Sequence, residues 1–480
     1  VQTLTEAHSA VLLPGADRAA LEAQLRSLFE NVDGSLPAVE ERNIRQMLLD
    51  AIPQELDVPC DNAISLARAL YAYALMADIP GAGTPAFDRS GTIKKLLACR
   101  ADDGGFAWFA GMPSSPIVTA VVLRLLHGLG IVDEAAAVQY LDKEYFRSGK
   151  AYWWRCLSME QYLHTRSFFP EVPFKEKTTA AFRKAAKAYL VPKKARGLNG
   201  LIAAKARRVQ TLDNLLSLDG GTQLASKLGI KLGTEKKLRK SLAADVASLV
   251  EYAQPHRHGG IYYPNAVMPW RGLLETELDA HCALIAIMDK FGHADIANGI
   301  RLWIMLQKET QDWKSGSGYL EALAAVLNGP ASVLETKVLA LKSTYTVPFE
   351  EVKAAGNEMS VAVAPEGASD VKIGDRVKIR ARLTSVENRS FVKVTIPFGA
   401  GLVPVNQISG YRWGYYRNVL NDRIELWYEV FPEEKTEIVE EFYATRAGSF
   451  QAPVATIVCE YAPHYRANDA WNGRLEISAE

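Results

Sequence analysis

The chain lacks most of the features that fix a function cheaply. Its 480 residues hold only five cysteines, Cys60, Cys99, Cys156, Cys282 and Cys459, and none forms a Cys-x-x-Cys pair or a zinc-finger spacing. That excludes a disulfide-stapled scaffold and a structural zinc site built on thiolates. The isolated cysteines read as small apolar core residues, and they do not fix the redox compartment. No apolar run approaches the roughly 20 residues that a membrane helix needs. There is no excess of either charge: Lys plus Arg and Asp plus Glu both number 55. A strongly basic nucleic-acid binder is therefore excluded at the level of the whole chain. Phosphate loops, a Gly-x-Ser-x-Gly elbow and a His-Glu-x-x-His pair are all absent. The chain begins at Val1, not Met, and no signal peptide is visible; a processed chain and a piece of a longer parent both fit.

What is present is ordinary globular composition, 48% apolar and 23% charged, at a length suited to two or three domains. The hydrophobic period changes along it. Up to about residue 342, apolar residues recur at three- and four-residue spacing, as in Ile64, Ala67, Leu70, Tyr71, Ala74 and Leu75. The same spacing recurs at Val118–Leu129, Leu278–Met288 and Leu320–Leu327, and predicts amphipathic helices separated by Gly and Pro. From about Val347 the pattern alternates. Strands are predicted at Met359–Val363, Val377–Leu383, Val392–Ile396, Ile424–Val430 and Val454–Val458. Turn signals lie between them, such as Ile373-Gly-Asp and Arg446-Ala-Gly, which suggests an antiparallel sandwich.

The helical part repeats weakly. Asp103-Gly-Gly-Phe-Ala-Trp, His258-Gly-Gly-Ile-Tyr-Tyr and Gln311-Asp-Trp-Lys-Ser-Gly-Ser-Gly each precede a helix. Repeated turn-plus-helix units must stack to bury their faces, and closing the stack gives an α/α toroid rather than an open solenoid. The expected fold is thus all-α followed by all-β. The toroid would span residues 1–330, a small flanking β-segment or linker 331–368, and an antiparallel sandwich 369–480.

Candidate chemistry is sparse. Residues 172–240 are rich in Lys and Arg, which reads as the solvated outer face of several helices before it reads as an anion-binding face. His256 and His258 are two residues apart with no third ligand near, so no metal is expected. A carbohydrate-active toroid, similar to polysaccharide lyases, would draw on His256, His258, Tyr262, Tyr263 and Asn265. Asp103 before Gly104 reads as a turn residue.

The chain resembles the C-terminal part of bacterial α2-macroglobulin-like proteins. The resemblance rests on Asp61-Asn-Ala-Ile-Ser and Asp103-Gly-Gly-Phe-Ala-Trp-Phe-Ala-Gly, followed by the Thr119 helix, in the helical half. In the strand half it rests on Ile373-Gly-Asp-Arg-Val, Val403-Pro-Val-Asn, Ser409-Gly-Tyr-Arg-Trp, Ala447-Gly-Ser-Phe and Tyr461-Ala-Pro-His-Tyr-Arg-Ala. It implies a thioester-type toroid, flanked by a small β-domain and followed by a macroglobulin-like sandwich. Val333–Pro365 would be the returning part of the flanking domain, the rest of it preceding this chain. The family's covalent trap needs Cys-x-Glu-Gln. Here Cys60 is followed by Asp61, Asn62 and Ala63, so Cys60 and Ala63 mark a degenerate thioester position and the chain resembles the thioester-lacking branch. The resemblance implies no enzyme activity and no cofactor. It implies non-covalent endopeptidase inhibition or envelope defence by conformational trapping, or else an envelope scaffold. It also implies an extracytoplasmic location, in the bacterial periplasm or at the outer membrane, with no membrane contact within this chain. The partners implied are proteases and other domains of the parent chain, not nucleic acid. Phe106, Trp108, Tyr262 and Trp313 at the turns, and Tyr411 and Trp413 after Gly410, are the candidate interface aromatics.

Overall fold

The computed structural model describes residues 1–32, 34–79, 85–146, 157–175, 177–191, 202–217, 226, 229–264, 266, 277–308, 319–366, 370–433, 435–460 and 462–479. It is a mixed helix-plus-sheet protein in two compact units. One is built chiefly from Val1–Asn43 and Thr336–Glu480, the other chiefly from Ile44–Leu306 and Trp313–Glu335. No described helix is long and apolar enough to cross a membrane.

The helical unit starts its helices with side-chain caps. Asn62, Asp88, Ser115 and Thr179 each accept a bond from a backbone N–H of the first turn, and Ser158 with Gln161 forms a full capping box. The helices then divide by burial. Pro116–Leu126 buries Val118 through Leu123, then Leu125 and Leu126, so it is covered on nearly every side. Arg89–Ala98 buries only Thr92 and Leu96, and Ala180–Leu190 buries one stripe of Phe182, Ala186 and Leu190. The first pattern belongs to an inner helix and the second to an outer one. Contacts among the inner helices run in a cycle. Ala63–Asp78 packs on Pro116–Leu126, then Met159–Ser167, Ile202–Ser217, Glu277–Lys290 and Tyr319–Leu327 follow in turn, and the last returns to the first. Arg89–Ala98, Glu134–Phe146, Ala180–Leu190 and Glu235–Glu251 pack outside them.

The Gly-Gly turns hold inner and outer helices together. Gly104 lies at φ +91°, and a Cβ at Gly105 would strike the Tyr140 ring at 2.6 Å. Gly260 lies at φ +84°, where a Cβ would meet the Gly299 carbonyl oxygen and the Trp303 nitrogen at 2.6 Å. Each turn is then tied to an inner helix by one side chain. The Phe106 N–H donates to Thr119 Oγ1 at 2.8 Å, and the Tyr263 N–H donates to His281 Nε2 at 3.1 Å. Thr119 and His281 thus do the same work in two repeats. The partners also fix the imidazole tautomer: Nε2 receives an N–H, while Nδ1 donates to the Glu277 carbonyl at 2.7 Å. Burial keeps His281 neutral, with its pKa lowered to about 4. The third turn, with Trp313, lies outside the described residues.

The second unit contains a three-stranded sheet in which Lys337–Val347 lies between Gln2–Leu12 and Glu40–Asn43. This differs from the expectation that residues 1–330 are wholly helical. Gln2–Leu12 escapes detection because two of its inward positions are polar: Leu4, Glu6 and His8 share the buried face. Glu6 accepts from the Glu30 and Asn31 N–H groups at 2.9 and 3.0 Å and from the Tyr345 hydroxyl, while His8 packs edge-on against Phe29.

Among the described residues, the remaining strands of this unit form a seven-stranded and a four-stranded sheet over one apolar core, with a further three-stranded sheet of Gly448–Phe450, Leu475–Ser478 and Val371–Lys372. Val377, Ala381 and Leu383 from one sheet meet Val394, Ile396, Ile424, Leu426 and Ile457 from the other. The alternate residues Lys378, Arg380 and Arg382 face out and pair with Glu366, Glu437 and Glu441. Met359–Glu366 pairs along its length with Arg376–Ser385, so this strand joins the following β-structure rather than a flanking segment ending at 368. Not every pairing is antiparallel: Leu475–Ser478 runs parallel to Val371–Lys372. Buried ion pairs fix the loops. Arg389 binds Glu358 and lies 3.5 Å over the Tyr465 ring, and Arg417 grips Glu440 at 2.7 and 2.6 Å.

Two outcomes follow for the turns. Gly260→Ala should cost roughly 2–4 kcal/mol, because it adds left-handed strain and a clash with backbone. Gly111→Ala, at φ +81° with nothing within 4 Å of the added carbon, should cost only about 1–2 kcal/mol. Urea unfolding compares the two, and equal losses would refute the close-approach argument. For His281, a folded pKa below the ordinary 6.5 places its stabilisation at high pH: it is full above 6.5 and is lost as pH falls through about 4. Between pH 7 and 5 that amounts to about 2 kcal/mol. His281→Gln should flatten the pH dependence of urea stability in this interval by about that amount, and an unchanged slope would refute it.

Candidate functional site

Cys60 lies in the loop that leads into the Ala63–Asp78 helix, and its thiol is exposed. The Asn62 N–H donates to the Cys60 carbonyl at 2.7 Å, a tight turn immediately before the helix. Asn62 then caps the helix, accepting from the Ser65 N–H at 2.9 Å and donating to Ser65 Oγ at 2.8 Å. Asp61 points outward and pairs with Lys95 at 3.0 Å. The third residue after Cys60 is Ala63, which is fully buried. Its N–H, one of the donors a helix start leaves without an intrahelical partner, bonds the Trp108 carbonyl at 2.9 Å. A thioester needs a carbonyl-bearing side chain at that position. Ala63 offers a methyl group, packed inside the unit.

The loop over Ala63 is the Asp103-Gly-Gly-Phe-Ala-Trp segment. Asp103 Oδ1 accepts from the Gly105 N–H at 3.0 Å and the Ser114 hydroxyl at 2.6 Å, the turn role its position before Gly104 predicts. Phe106 is fully buried. Trp108 is not: it is 40% exposed, and Phe109 and Met112 on the same loop are 42% and 47% exposed. Sequence reading picks out Trp108 but misses Phe109 and Met112, whose neighbours give no periodic signal. The loop of Cys60 and the Trp108 loop are therefore brought together, joined through the Ala63 and Trp108 backbones.

The other aromatic candidates lie elsewhere. Tyr262 stacks on Trp303, with ring centroids 6.1 Å apart, and Trp303 stacks on His281 at 4.2 Å. The lyase-type candidates are engaged in turn structure. The buried Tyr263 hydroxyl donates to the Leu249 carbonyl at 2.9 Å, the His258 N–H lies 3.4 Å from His256 Nδ1, and the His256 N–H donates to the Gly260 carbonyl. Asn265 lies outside the described residues. In the second unit, Tyr411 and Trp413 sit on the hairpin formed by Gly410–Arg412 and Tyr415–Val419. Trp413 occupies its turn beside Gly414, which lies at φ +90°, and the residue is 99% exposed. The base of that hairpin is held by Arg417, which donates to the Ile408 and Asn406 carbonyls as well as to Glu440. Nothing in the alternation of this strand marks Arg417 as buried.

Part of the basic stretch is internally compensated. Arg208 and Lys205 pair with Asp245, Arg207 with Glu160, and Arg239 with Glu235. Lys193, Lys194 and Arg196 lie outside the described residues, as does Cys156. Of the described cysteines, Cys99 and Cys459 are buried, and burial raises the Cys99 thiol pKa.

Residues 349–464 match the model of the bacterial alpha-2-macroglobulin MG10 domain. No curated protein matches the chain. Among solved structures it is similar to native alpha-2-macroglobulin from Escherichia coli spanning domain MG7 to the C-terminus, at 12% identity and a TM-score of 0.39. That alignment covers 99% of this chain and 82% of the other. It is similar to Salmonella alpha-2-macroglobulin reacted with methylamine at 14% identity and a TM-score of 0.34, covering 99% of this chain and 34% of that one. It is also similar to the native conformation of the Escherichia coli protein at 12% identity and a TM-score of 0.38, where this chain spans 33% of its relative. At these identities and scores the likeness to solved structures carries no functional weight. The family-model match is confined to residues 349–464, which are similar to the bacterial alpha-2-macroglobulin MG10 domain.

Proposed function

We propose that this chain is the C-terminal portion of a bacterial α2-macroglobulin-like protein that takes part in non-covalent protease trapping outside the cytoplasm. The MG10 match over 349–464 carries this reading. The helical unit is read as the thioester-type α/α toroid, which the cycle of inner-helix contacts supports. The two sheets over one core are read as the macroglobulin-like sandwich. The sheet of Gln2–Leu12, Lys337–Val347 and Glu40–Asn43 is read as the small flanking domain.

In this reading the thioester position has lost its acyl donor. An acylating trap requires the thiol to be esterified by a Gln carbonyl, and neither Asp61, Asn62 nor Ala63 supplies that side chain in the required place. What remains is mechanical. Cleavage of a segment elsewhere in the parent would rearrange domains around the protease, excluding large substrates and admitting small ones. The exposed Trp108, Phe109 and Met112 on one unit and Trp413 on the other suit surfaces that become covered in such a change, since exposed apolar groups of this size mark contact sites. No catalytic role is assigned to this chain. A lyase-type reading is disfavoured by the Tyr263 hydroxyl, which is buried and bonded to Leu249.

Two measurements test this. In the folded chain, the Cys60 thiol should react with iodoacetamide, while Cys99 and Cys459 wait for denaturant. Methylamine should add no mass, and all five cysteines should alkylate once the chain is unfolded without reductant. A cysteine that becomes reactive only after methylamine treatment would refute the missing thioester. The parent protein, mixed with a broad-specificity protease, should suppress cleavage of a large protein substrate and leave cleavage of a small peptide intact. Unchanged cleavage of both would refute trapping.

A further inference from the structure

The four-stranded sheet ends in Met359–Glu366, whose inner side pairs with Arg376–Ser385. An outermost strand leaves backbone N–H and C=O groups that another strand can take. Here side chains take them. The Val363 N–H donates to Asp469 Oδ2 at 2.7 Å, and the Val363 carbonyl accepts from the Asn472 carboxamide. Two residues on, Pro365 has no N–H to offer. The two clasping side chains also hold each other: Asn472 Nδ2 donates to Asp469 Oδ2 at 2.9 Å. Asp469 is buried and accepts from the Ala470 N–H at 2.8 Å as well. Both partners of the Asn472 carboxamide nitrogen are acceptors, so the clasp depends on that one NH2 group.

Asn472 is followed by Gly473, and the pair is open to hydrolysis. Attack by a backbone nitrogen on the preceding Asn side chain is least hindered where the next residue lacks a Cβ. Gly473 lies at φ +87° with nothing within 4 Å of an added Cβ, and its N–H has no hydrogen-bond partner among the described residues. Asn472 is exposed and lies outside any helix or strand. The other described Asn-Gly pairs are held. Asn298 lies within the Ala294–Lys308 helix, with Oδ1 accepting from Arg301, and the Gly329 N–H after Asn328 donates to the Val326 carbonyl at 2.8 Å. We propose that Asn472-Gly473 is a deamidation site, and that its conversion releases the outer edge of Met359–Glu366. The Gly473 nitrogen bonds to Asn472 Cγ, the Cγ–Nδ2 bond breaks, and ammonia leaves with the proton from the Gly473 N–H. Water then opens the cyclic imide to an aspartyl or isoaspartyl carboxylate. That product has no donor for the Val363 carbonyl, and it sets a second negative charge against the Asp469 carboxylate. The clasp is lost, and the edge is left to pair with another strand.

The test is peptide mapping of the whole chain by mass spectrometry during incubation at mildly alkaline pH. Asn472 is expected to convert at least tenfold faster than Asn298 and Asn328. Conversion no faster than theirs would overturn the site. Hydrogen exchange at the Val363 amide, compared between the unsubstituted chain and Asn472→Asp, tests the release. Exchange roughly tenfold faster in the variant is expected, about what the loss of one hydrogen bond gives. Unchanged exchange would overturn the release. If N472D fails to fold, the same comparison is made between the converted and unconverted fractions of the incubated chain, separated by charge.

Discussion

The architecture depends on a pairing between residues far apart in the chain. Lys337 lies opposite Leu12 on one side and Asn43 on the other, and the antiparallel ladder continues from there to Gln2 against Val347. The chain therefore leaves the three-stranded sheet at Asn43 and re-enters it one strand away, about 5 Å distant. Everything from Ile44 to Glu335 is inserted between those two points. An insert with adjacent ends favours a contact between its first and last helices. The contact of Tyr319–Leu327 with Ala63–Asp78 is the local consequence. The closure entropy of so long a loop grows only logarithmically with length, so it is offset by one well-packed ladder and the helix contacts it brings about.

Within the insert, the repeats hold by the same two devices. A Gly-Gly turn lets the backbone lie against an outer helix, and one inner-helix acceptor takes the N–H of the turn aromatic. Thr119 does this with a hydroxyl and His281 with an imidazole. The second choice makes that repeat sensitive to protonation, while the first has no titratable group. Two sequence solutions to one geometric requirement explain why the repetition is so weak at the level of residue identity.

That also explains what the sequence made legible and what it concealed. Helices with a clean apolar face and strands with outward charge, such as Arg376–Ser385, are readable because burial alone selects their residues. Gln2–Leu12 is hidden because Glu6 and His8 are buried against specific partners, Tyr345 and the Glu30–Asn31 backbone for one, Phe29 for the other. Met359–Glu366 is recognisable as a strand, but not as a partner of Arg376–Ser385, since its pairing is a tertiary choice. At the candidate site, Cys60 and Ala63 are identified by a missing pattern and Trp108 by a turn. The bond from the Ala63 N–H to the Trp108 carbonyl, which brings these two loops together, leaves no trace in residue types.

On the proposed reading of Cys60 and Ala63 as a degenerate thioester position, the packing at Ala63 gives that degeneracy a structural character. An exposed Ala at the third position would leave room for a Gln, and one substitution could restore the chemistry. Ala63 is instead fully buried, and its backbone is bonded beneath the Trp108 loop. A Gln there would need space that a fully buried site does not leave. Inserting a methylene and a primary amide, four heavy atoms in all, into a filled site costs overpacking and an unpaired polar group together. Cys60 is exposed, whereas Ala63, the third residue after it, is part of the core. The helix start is held by an Asn cap and a backbone bond instead of by a covalent link. A trap built on this unit would have to work by exclusion, through the exposed aromatic loops and the movement of whole domains.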